Sequence, residues 1–289
     1  MEQWTTQRLL TWITGFLTEK AVDAPRLSAE MLLSHVLDCR RIDLYTHFDR
    51  IVDPDRLAAL RAIVKRAGEH EPIAYLVGRT EFYSLSIRVT CDCLIPRPET
   101  EMLVEHAIDF LRARPGTQDV LDLCTGSGCI AVAVAKNCPD CRVVATDISD
   151  AALAVAAENV TAHNLTGRVR LLCGDLFEPI IAGLDAARFD LITCNPPYVA
   201  QAEYEKLDRN VRDYEPAQAL LAGPDGLDIY RRIAADVGQY LRPAAALILE
   251  TSPATAQAVT QLLQQNGLFA SIQTYKDPAR RERVIVSRR

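Results

Sequence analysis

Four consecutive residues, Asn195-Pro196-Pro197-Tyr198, directly follow an apolar run at 189–194 that is typical of a buried strand. The two prolines fix the backbone and remove two amide donors, which leaves the Asn195 side-chain oxygen and the Pro196 carbonyl as acceptors. Two acceptors can hold both hydrogens of a planar NH2 group and aim its nitrogen at an incoming carbon, while Tyr198 stacks on the flat group. The motif predicts a substrate site that includes Pro197, with Asn195, Pro196 and Tyr198 as its catalytic residues.

This acceptor-rich motif suits methyl transfer from a sulfonium, because the positive sulfur already activates the methyl group and the protein mainly supplies approach geometry. An amide nitrogen is too weakly basic to be deprotonated beforehand. Acceptors that take up its proton density as the new bond forms stabilise the transition state. Cys194 adjoins the motif, but its apolar surroundings favour a core residue over a nucleophile.

A glycine-rich turn lies between an apolar strand and a helix within residues 120–131. Gly126 and Gly128 let the backbone turn sharply and approach a ligand, and the first turn of a doubly wound sheet is where ligands bind. Asp147 follows about 20 residues later, at the end of the next strand, where a carboxylate accepts hydrogen bonds from ribose hydroxyls. By themselves these residues also fit a nicotinamide dinucleotide, or a turn that binds nothing.

Asp175, Leu176 and Phe177 follow the third strand of this region. An acid near an adenine amino group, with an apolar wall against the ring, is one interpretation. A helix cap followed by core residues explains the same three positions equally well.

The elements that position these groups alternate between short apolar strands and helices from residue 119 onward, which predicts a parallel sheet buried on both faces. The last two strands are close in sequence and predict a terminal antiparallel hairpin. Strands are expected near 119–124, 142–146, 168–173, 189–194, 245–250, 268–273 and 283–287. Helices are expected near 128–137, 150–163, 226–241 and 253–266.

The first part of the chain has a different pattern. Residues 1–70 carry apolar residues at helical spacing, and Asp23 to Pro25 and Asp53-Pro54 are typical of helix starts. Partial alternation between 73 and 95 predicts a hairpin, and a helix is expected to begin at Arg97-Pro98. We therefore predict three segments: a helical substrate-docking domain, a β-hairpin connector and a cofactor-binding domain, at 1–76, 77–97 and 98–289.

Charge and composition restrict the partners. Residues 1–80 hold equal numbers of basic and acidic side chains, so the formal charge of −6 resides in the remainder. An acidic catalytic half argues against duplex DNA as the main substrate. The nine cysteines form neither a disulfide framework nor a convincing metal site, so no metal is expected. The absence of a long apolar run and of a signal-peptide layout predicts a cytoplasmic protein that binds no membrane.

Several motifs together resemble the release-factor glutamine methyltransferases, the protein-(glutamine-N5) methyltransferase family. The resemblance covers nearly the full length, and the combination of Leu94 to Glu101 with Asn195 to Tyr198 is its most specific part. The matching segments are Glu71 to Gly78, Glu81 to Tyr83, Leu94 to Glu101, the glycine turn, Asn195 to Tyr198, Val211 to Pro216, and Gly223 to Leu227.

The resemblance implies an α/β fold: a Rossmann-like, seven-stranded class I methyltransferase domain preceded by a small helical bundle and a β-hairpin connector. It implies S-adenosyl-L-methionine as cofactor and S-adenosyl-L-homocysteine as product. It implies that the partners are peptide chain release factors, whose Gly-Gly-Gln loop presents the glutamine, and that the enzyme is a monomer without direct nucleic-acid contact. The implied cofactor-binding residues are Arg97, Pro98, Glu99, Thr100, Cys124, Thr125, Gly126, Ser127, Gly128, Asp147, Asp175, Leu176, Phe177 and Asn195.

Two positions and one stretch depart from the family pattern. Cys124 stands where the family usually has Gly, and Leu176 stands where some members carry Trp. The stretch Glu250 to Pro253 also differs, but it lies beyond the catalytic loop in sequence and is expected to affect the chemistry little.

Two other functions fit part of the pattern. A nucleic-acid adenine-N6 methyltransferase also needs acceptors for a planar NH2 group, but it requires a basic groove and base flipping. Residues 199–224 are too few and too acidic for a target-recognition domain. A non-catalytic binding protein is the third possibility, and intact Asn195 and Asp147 argue against it.

Overall fold

The computed structural model describes residues 3–183 and 188–289. The chain divides into two units. The first runs to Arg79 and includes Asp208–Tyr214, and the second consists of Thr80–Leu207 and Glu215–Arg289. Residues 1–2 of the expected docking domain and 184–187 of the expected cofactor-binding domain lie outside the described residues.

The strands and the longer helices occur along the chain in the order that the sequence pattern predicts, and three short helices between 178 and 212 were not predicted. The helices are α1 (Thr6–Glu19), α2 (Pro25–Leu37), α3 (Asp43–Thr46), α4 (Pro54–Gly68), α5 (Ile73–Val77), α6 (Thr100–Arg112), α7 (Cys129–Asn137), α8 (Asp150–Ala162), α9 (Glu178–Gly183), α10 (Gln201–Tyr204), α11 (Arg209–Arg212), α12 (Asp228–Asp236) and α13 (Ala256–Asn266). The strands are β1 (Arg79–Phe82), β2 (Leu85–Arg88), β3 (Gln118–Leu123), β4 (Cys141–Asp147), β5 (Val169–Cys173), β6 (Phe189–Cys194), β7 (Leu241–Glu250), β8 (Ser271–Lys276) and β9 (Glu282–Arg288).

The first unit is helical, as its sequence pattern predicts. Asp53 begins α4, and its carboxylate accepts a hydrogen bond from the Arg56 amide at 2.9 Å. The sequence pattern did not predict α3 and α5, because a single turn is too short to show a helical period. The apolar faces of the longer helices meet in one core, formed by residues that include Leu9, Ile13, Leu17, Leu32, Leu33, Leu60 and Val64.

The second unit contains a seven-stranded sheet with the order β5-β4-β3-β6-β7-β9-β8. Strands β3 to β7 are parallel, and β9 runs antiparallel to both β7 and β8. The expected seven-stranded doubly wound sheet with a terminal antiparallel hairpin is thus confirmed. Because parallel strands end at the same edge of a sheet, the segments that follow β3, β4, β6 and β7 meet there.

The largest difference from the expected elements lies between α12 and β7. The predicted helix at 226–241 ends early in a 3-10 turn at Val237–Gln239, and β7 begins at Leu241, ahead of Pro243. Proline normally argues against a strand interior. Here the strand tolerates it through a bulge, where Ala244 takes a positive φ of 61° and the register with β6 shifts.

Strands β1 and β2 form the predicted hairpin. Its two-residue turn, Tyr83-Ser84, has positive φ at both positions (50° and 60°), as a tight hairpin turn requires. The Glu101 carboxylate accepts a hydrogen bond from the Tyr83 amide at 2.7 Å and so fixes the turn against α6. That helix begins at Thr100 rather than at Pro98, after a tight turn in which the Thr100 amide donates to the Arg97 carbonyl at 3.0 Å.

Candidate active site

The glycine turn after β3 takes a left-handed backbone at three positions: Cys124 (φ 54°), Gly126 (55°) and Gly128 (78°). A side chain at Gly128 would lie 3.1 Å from the Ala156 Cβ, so glycine there permits the close approach of α8. Cys124 adopts the left-handed conformation with a side chain, which costs about 1–2 kcal/mol for a residue other than glycine. The departure from the family pattern therefore strains the backbone.

The Asp147 carboxylate closes the glycine turn. Its Oδ2 accepts a hydrogen bond from the Gly126 amide at 2.8 Å, and its Oδ1 accepts one from the Ser149 amide at 2.9 Å. Burial raises the pKa of Asp147 despite these donors. A carboxylate offers about four acceptor positions, so two backbone bonds leave capacity for a ligand hydroxyl.

Asp122 lies beneath the turn and was not predicted as a site residue. It is fully buried, and it accepts hydrogen bonds from the Thr125 hydroxyl at 2.6 Å and the Thr193 hydroxyl at 2.8 Å. Burial raises its pKa to about 7. Asp122 thereby ties the glycine turn after β3 to the strand that carries Asn195. The signal was present in the sequence, because an acid between apolar residues of a buried strand is costly to bury without partners.

A cavity of about 280 Å³ opens at this edge of the sheet. It brings the glycine turn, the end of β4, the segment after β5 and the motif after β6 together. Of the expected site residues, its wall includes Thr100, Cys124, Thr125, Gly126, Ser127, Asp147, Asp175, Leu176, Asn195 and Pro197.

The remaining expected cofactor residues lie outside this wall and have other partners. The Arg97 guanidinium pairs with Glu215, a buried carboxylate that also accepts a hydrogen bond from the Ile95 amide at 3.2 Å. Glu99 pairs with Arg283 at 3.4 Å. Gly128 begins α7 behind the turn.

Phe177 also has a partner away from the cavity. It is buried and stacks on Tyr240, with ring centroids 4.4 Å apart. The neighbouring Asp175 lines the cavity but is already paired with Arg232 at 2.8 Å.

The motif after β6 is held by two side chains from other elements. The Asn195 Nδ2 donates to the Thr100 hydroxyl at 3.3 Å, and the Tyr198 hydroxyl donates to Glu250 Oε1 at 3.3 Å. Burial raises the pKa of Tyr198, so its hydroxyl stays protonated. Gly226 permits this packing, because a Cβ there would lie 2.5 Å from the Tyr198 carbonyl oxygen.

Glu250 is the second residue that sequence reasoning missed. It is 1% exposed at the end of β7, and its Oε2 has no hydrogen-bond partner among the described residues. Burial raises the pKa of Glu250 to about 7, although the Thr100 and Tyr198 hydroxyls lower it. The stretch from Glu250 to Pro253 was expected to affect the chemistry little, because it lies beyond the catalytic loop in sequence. The strand order instead places β7 beside β6 and brings Glu250 to Tyr198.

Together, the sheet order and the position of the site define the class I methyltransferase fold. A family model described as the PrmC N-terminal domain matches residues 8–78, and one described as the methyltransferase small domain matches 99–213.

Curated relatives specify the family further. A release factor glutamine methyltransferase of Rhodopirellula baltica is 47% identical, covering 98% of this chain and 95% of the relative. One from Geobacter sulfurreducens is 43% identical, covering 99% and 98%. The chain therefore belongs to the release factor glutamine methyltransferase family, as its motifs predicted.

Similarity to solved structures agrees with the fold. The catalytic domain of hMettl16, solved in complex with the MAT2A 3'UTR hairpin 1, is 16% identical with a TM-score of 0.56, and the match covers 83% of each chain. At this identity the similarity supports the fold alone. Among the described residues, no helix combines the length and apolar character that crossing a membrane requires.

Proposed function

We propose that this protein transfers a methyl group from S-adenosyl-L-methionine to the side-chain amide nitrogen (N5) of the glutamine in the Gly-Gly-Gln loop of peptide chain release factors. The observation that carries the proposal is the hydrogen bonding of the Asn195 side-chain amide at the cavity wall. Its Nδ2 is engaged by Thr100, so Oδ1 is the atom left to accept a hydrogen bond. With the Pro196 carbonyl it forms the acceptor pair that a planar NH2 group needs.

The cofactor occupies the cavity at the glycine turn in this proposal. Asp147 holds the ribose hydroxyls, while Thr125, Gly126 and Ser127 border the methionine part. The Asp122 carboxyl group is buried and that of the neighbouring Asp147 is half-buried, and neither forms an ion pair among the described residues. A cationic sulfonium beside these carboxyl groups would favour their ionised forms, so the residues present fit the group.

The adenine end of the cofactor is assigned to Asp175 and Leu176, both on the cavity wall. Phe177 supports Leu176 from the core, where it stacks on Tyr240. The segment Arg97-Pro98-Glu99 is assigned a structural role beside the cavity. Arg97 is ion-paired with Glu215, and Glu99 is ion-paired with Arg283. Thr100 is the member of that segment that reaches the wall.

The mechanism assigned to this chain is positioning and charge stabilisation. The bound cofactor supplies an electrophilic methyl group. Asn195 Oδ1 and the Pro196 carbonyl hold the two amide hydrogens, which directs the nitrogen along the line of attack. As the N–C bond forms, the S–C bond of the sulfonium would break and leave neutral S-adenosyl-L-homocysteine, while positive charge develops on the nitrogen and one of its protons leaves past the two acceptors to water. The two acceptors are already oriented and stabilise that charge without reorganisation.

The helical unit is proposed to dock the release factor. Large apolar side chains that remain exposed mark interaction surfaces when they cluster. Seven of the eight exposed large hydrophobic residues of the described chain belong to this unit: Trp4, Trp12, Leu27, Ile42, Tyr45, Phe48 and Ile51. We also propose that the protein acts as a cytoplasmic monomer and binds no nucleic acid directly.

The test is to incubate the protein with labelled S-adenosyl-L-methionine and one of three acceptors. These are a bacterial release factor, the same factor with the loop glutamine changed to alanine, and adenine-containing duplex DNA. We expect label only in the unaltered release factor. Label in DNA would support the adenine-N6 alternative, and equal label in the two release factors would exclude the loop glutamine as the target.

A further inference from the structure

Asn159 lies on α8 and was not predicted as a site residue, yet its side chain binds the glycine turn directly. The residue is 1% exposed, and its Nδ2 donates a hydrogen bond to the Ser127 carbonyl at 2.8 Å. The close approach of α8 permits this contact, because Gly128 faces Ala156, which lies one helical turn before Asn159. A buried amide of α8 thus holds part of the cavity wall without belonging to that wall itself.

The same amide also binds the end of the β-hairpin. Its Oδ1 accepts a hydrogen bond from the Arg88 amide at 2.7 Å, and its Nδ2 donates to the Arg88 carbonyl at 3.0 Å. The two hydrogens of the NH2 group are therefore used by two different carbonyls. Rotation of the amide by half a turn would set Oδ1 against both carbonyl oxygens, so only one orientation satisfies all three backbone groups. Asn159 joins β2 to the glycine turn in a fixed geometry.

Both of the joined segments lead into the cavity wall. Ser127 belongs to the wall, and so do four residues that follow β2: Asp92, Cys93, Leu94 and Pro96. The hairpin end and the glycine turn cannot shift relative to each other while the Asn159 hydrogen bonds are formed. Asn159 therefore sets the spacing between two parts of the wall.

Ser127 has the features of a ligand contact. It is 2% exposed, and its Oγ has no hydrogen-bond partner among the described residues. A buried hydroxyl that lacks a partner is costly unless a ligand supplies one. Ser127 also lies directly before the amino end of α7, where unpaired backbone amides and the helix dipole favour an anion. These features fit the carboxylate at the amino-acid end of the proposed cofactor.

We propose that Asn159 is a positioning residue for the amino-acid end of the cofactor, because it holds Ser127 and the segment after β2 where they bind the methionine part. This inference rests on the proposed cofactor of the site. Within the described residues, the hydrogen bonds of Asn159 go to Arg88 and Ser127, and none goes to Asp147 or Asp175. The ribose and adenine contacts assigned to those two acids therefore do not depend on Asn159.

The sharpest variant is Asn159→Asp, which keeps the shape of the side chain but sets an oxygen against two carbonyls. We expect the Kd for S-adenosyl-L-homocysteine, measured by calorimetry, to rise about 10- to 100-fold, the range for buried hydrogen-bonding groups that lose their partner. The Kd for 5′-methylthioadenosine should change less than about threefold, because this compound has the same nucleoside and sulfur but no amino-acid end. General damage to the cavity would raise both Kd values alike.

Asn137→Asp is the matched control. Asn137 Nδ2 donates to the Ala133 carbonyl at 2.9 Å near the carboxyl end of α7, so this change also sets a carboxylate against a backbone carbonyl. It should lower Tm and leave both Kd values within about twofold of the wild type. Asn159→Ala removes the three hydrogen bonds without adding a charge, and it tests the same difference between the two Kd values if Asn159→Asp does not fold.

A double variant tests whether Asn159 acts through Ser127. Ser127→Ala removes the hydroxyl but keeps the carbonyl that Asn159 binds, and it should also raise the Kd for S-adenosyl-L-homocysteine. Combining Ser127→Ala with Asn159→Asp should raise this Kd by less than the product of the two single effects, because both changes weaken the same contact.

The outcome of these measurements is separate from that of the proposed reaction. If the wild type binds S-adenosyl-L-homocysteine but methylates no release factor, the proposed acceptor is wrong, and the two Kd values still test Asn159. Equal rises of both Kd values in Asn159→Asp would indicate a purely structural role and overturn the inference. An unchanged Kd for S-adenosyl-L-homocysteine in the folded variant would overturn it as well.

Discussion

Carboxylates at the two ends of the parallel strands differ in whether they form ion pairs. At the amino end, Arg242 bridges Asp119 at 2.7 Å and Asp190 at 2.5 Å, and Arg142 pairs with Asp119 at 2.8 Å. At the carboxyl end, Asp122 and Glu250 are buried and Asp147 is half-buried, and within the residues that the structure describes these three form no ion pair. The carboxylates at the amino end are thus paired with cations, whereas these three at the carboxyl end are not, although Asp175 at the same edge pairs with Arg232.

This contrast separates stability from function. A paired, half-exposed carboxylate contributes modestly to folding. A buried carboxylate that lacks a cation lowers stability, and strongly perturbed groups of this kind cluster at functional sites. Burial raises the pKa of Asp122 and of Glu250 to about 7. Both carboxyl groups are therefore partly protonated near neutral pH, and a sulfonium or a developing positive nitrogen beside them would favour their ionised forms.

The largest expected effect of a change at the carboxyl end comes from Asn195→Ala. We expect kcat to fall about 100- to 1,000-fold, the loss typical of removing a group that stabilises transition-state charge. The Kd for S-adenosyl-L-methionine, measured by calorimetry, should stay within about threefold, because the Asp147 end of the cavity is unchanged. Equal losses of activity and cofactor affinity would indicate that Asn195 maintains the cavity instead.

The next effect is on cofactor affinity. Asp147→Ala removes the proposed ribose acceptor and should weaken S-adenosyl-L-methionine binding about 10- to 100-fold, as expected for hydrogen bonds to a charged group. Asp147→Asn keeps one acceptor oxygen and should lose less. Calorimetry gives both values, and wild-type affinity in Asp147→Ala would exclude the ribose role.

The pH dependence of stability gives an intermediate effect. The pKa of Asp122 is about 7 in the folded protein and near 3.8 in the unfolded chain, so the folded state binds more protons between these values. Its contribution makes stability fall as the pH rises through this window, by about 1.4 kcal/mol per unit, and level off above 7. This contribution is measured by comparing the free energy of unfolding in urea of the wild type and of Asp122→Asn at about pH 5 and about pH 8. Identical pH slopes in the two proteins would contradict the raised pKa.

A change at the amino end should act on stability alone. Arg242→Ala leaves Asp119 and Asp190 without their shared partner but in contact with water, so we expect a loss of about 1 kcal/mol in the free energy of unfolding. The kcat of methylation should not change. A loss of activity at unchanged stability would show that the two ends are coupled, and the contrast between them would fail.

The smallest effect concerns Cys124. Cys124→Gly relieves the left-handed backbone at the price of a more flexible unfolded chain, and we expect a net gain of about 0.5–1 kcal/mol. Cys124→Ala is the control, because it removes the thiol but keeps a Cβ at φ 54°. A gain in both variants would assign the effect to the thiol rather than to the backbone.

The fold was largely predictable from the sequence because buried parallel strands and their helices leave strong periodic patterns. The start of β7 was not predictable, because a proline such as Pro243 normally argues against a strand, and this strand accommodates it through a bulge. The periodic pattern of the sequence also does not indicate the order of the strands in the sheet. That order places β7 beside β6, so the role of Glu250 beside Tyr198 could not be predicted from sequence spacing.

Within the site, residues near one another in sequence were easier to identify than residues joined only by the fold. The glycine turn, Asp147 and Asn195 lie next to strand ends and could be recognised there. Asp122 and Glu215 act through partners far along the chain: Thr193 for Asp122 and Arg97 for Glu215. Their roles depend on which strands and loops become neighbours.

The most direct test of the central claim locates the transferred methyl group. A release factor is incubated with S-adenosyl-L-methionine and either the wild-type protein or Asn195→Ala, and its peptides are sequenced by tandem mass spectrometry. The account predicts one added methyl on the side chain of the Gly-Gly-Gln glutamine with the wild type, and almost none with the variant. A methyl on any other residue, or equal methylation by both proteins, would contradict it.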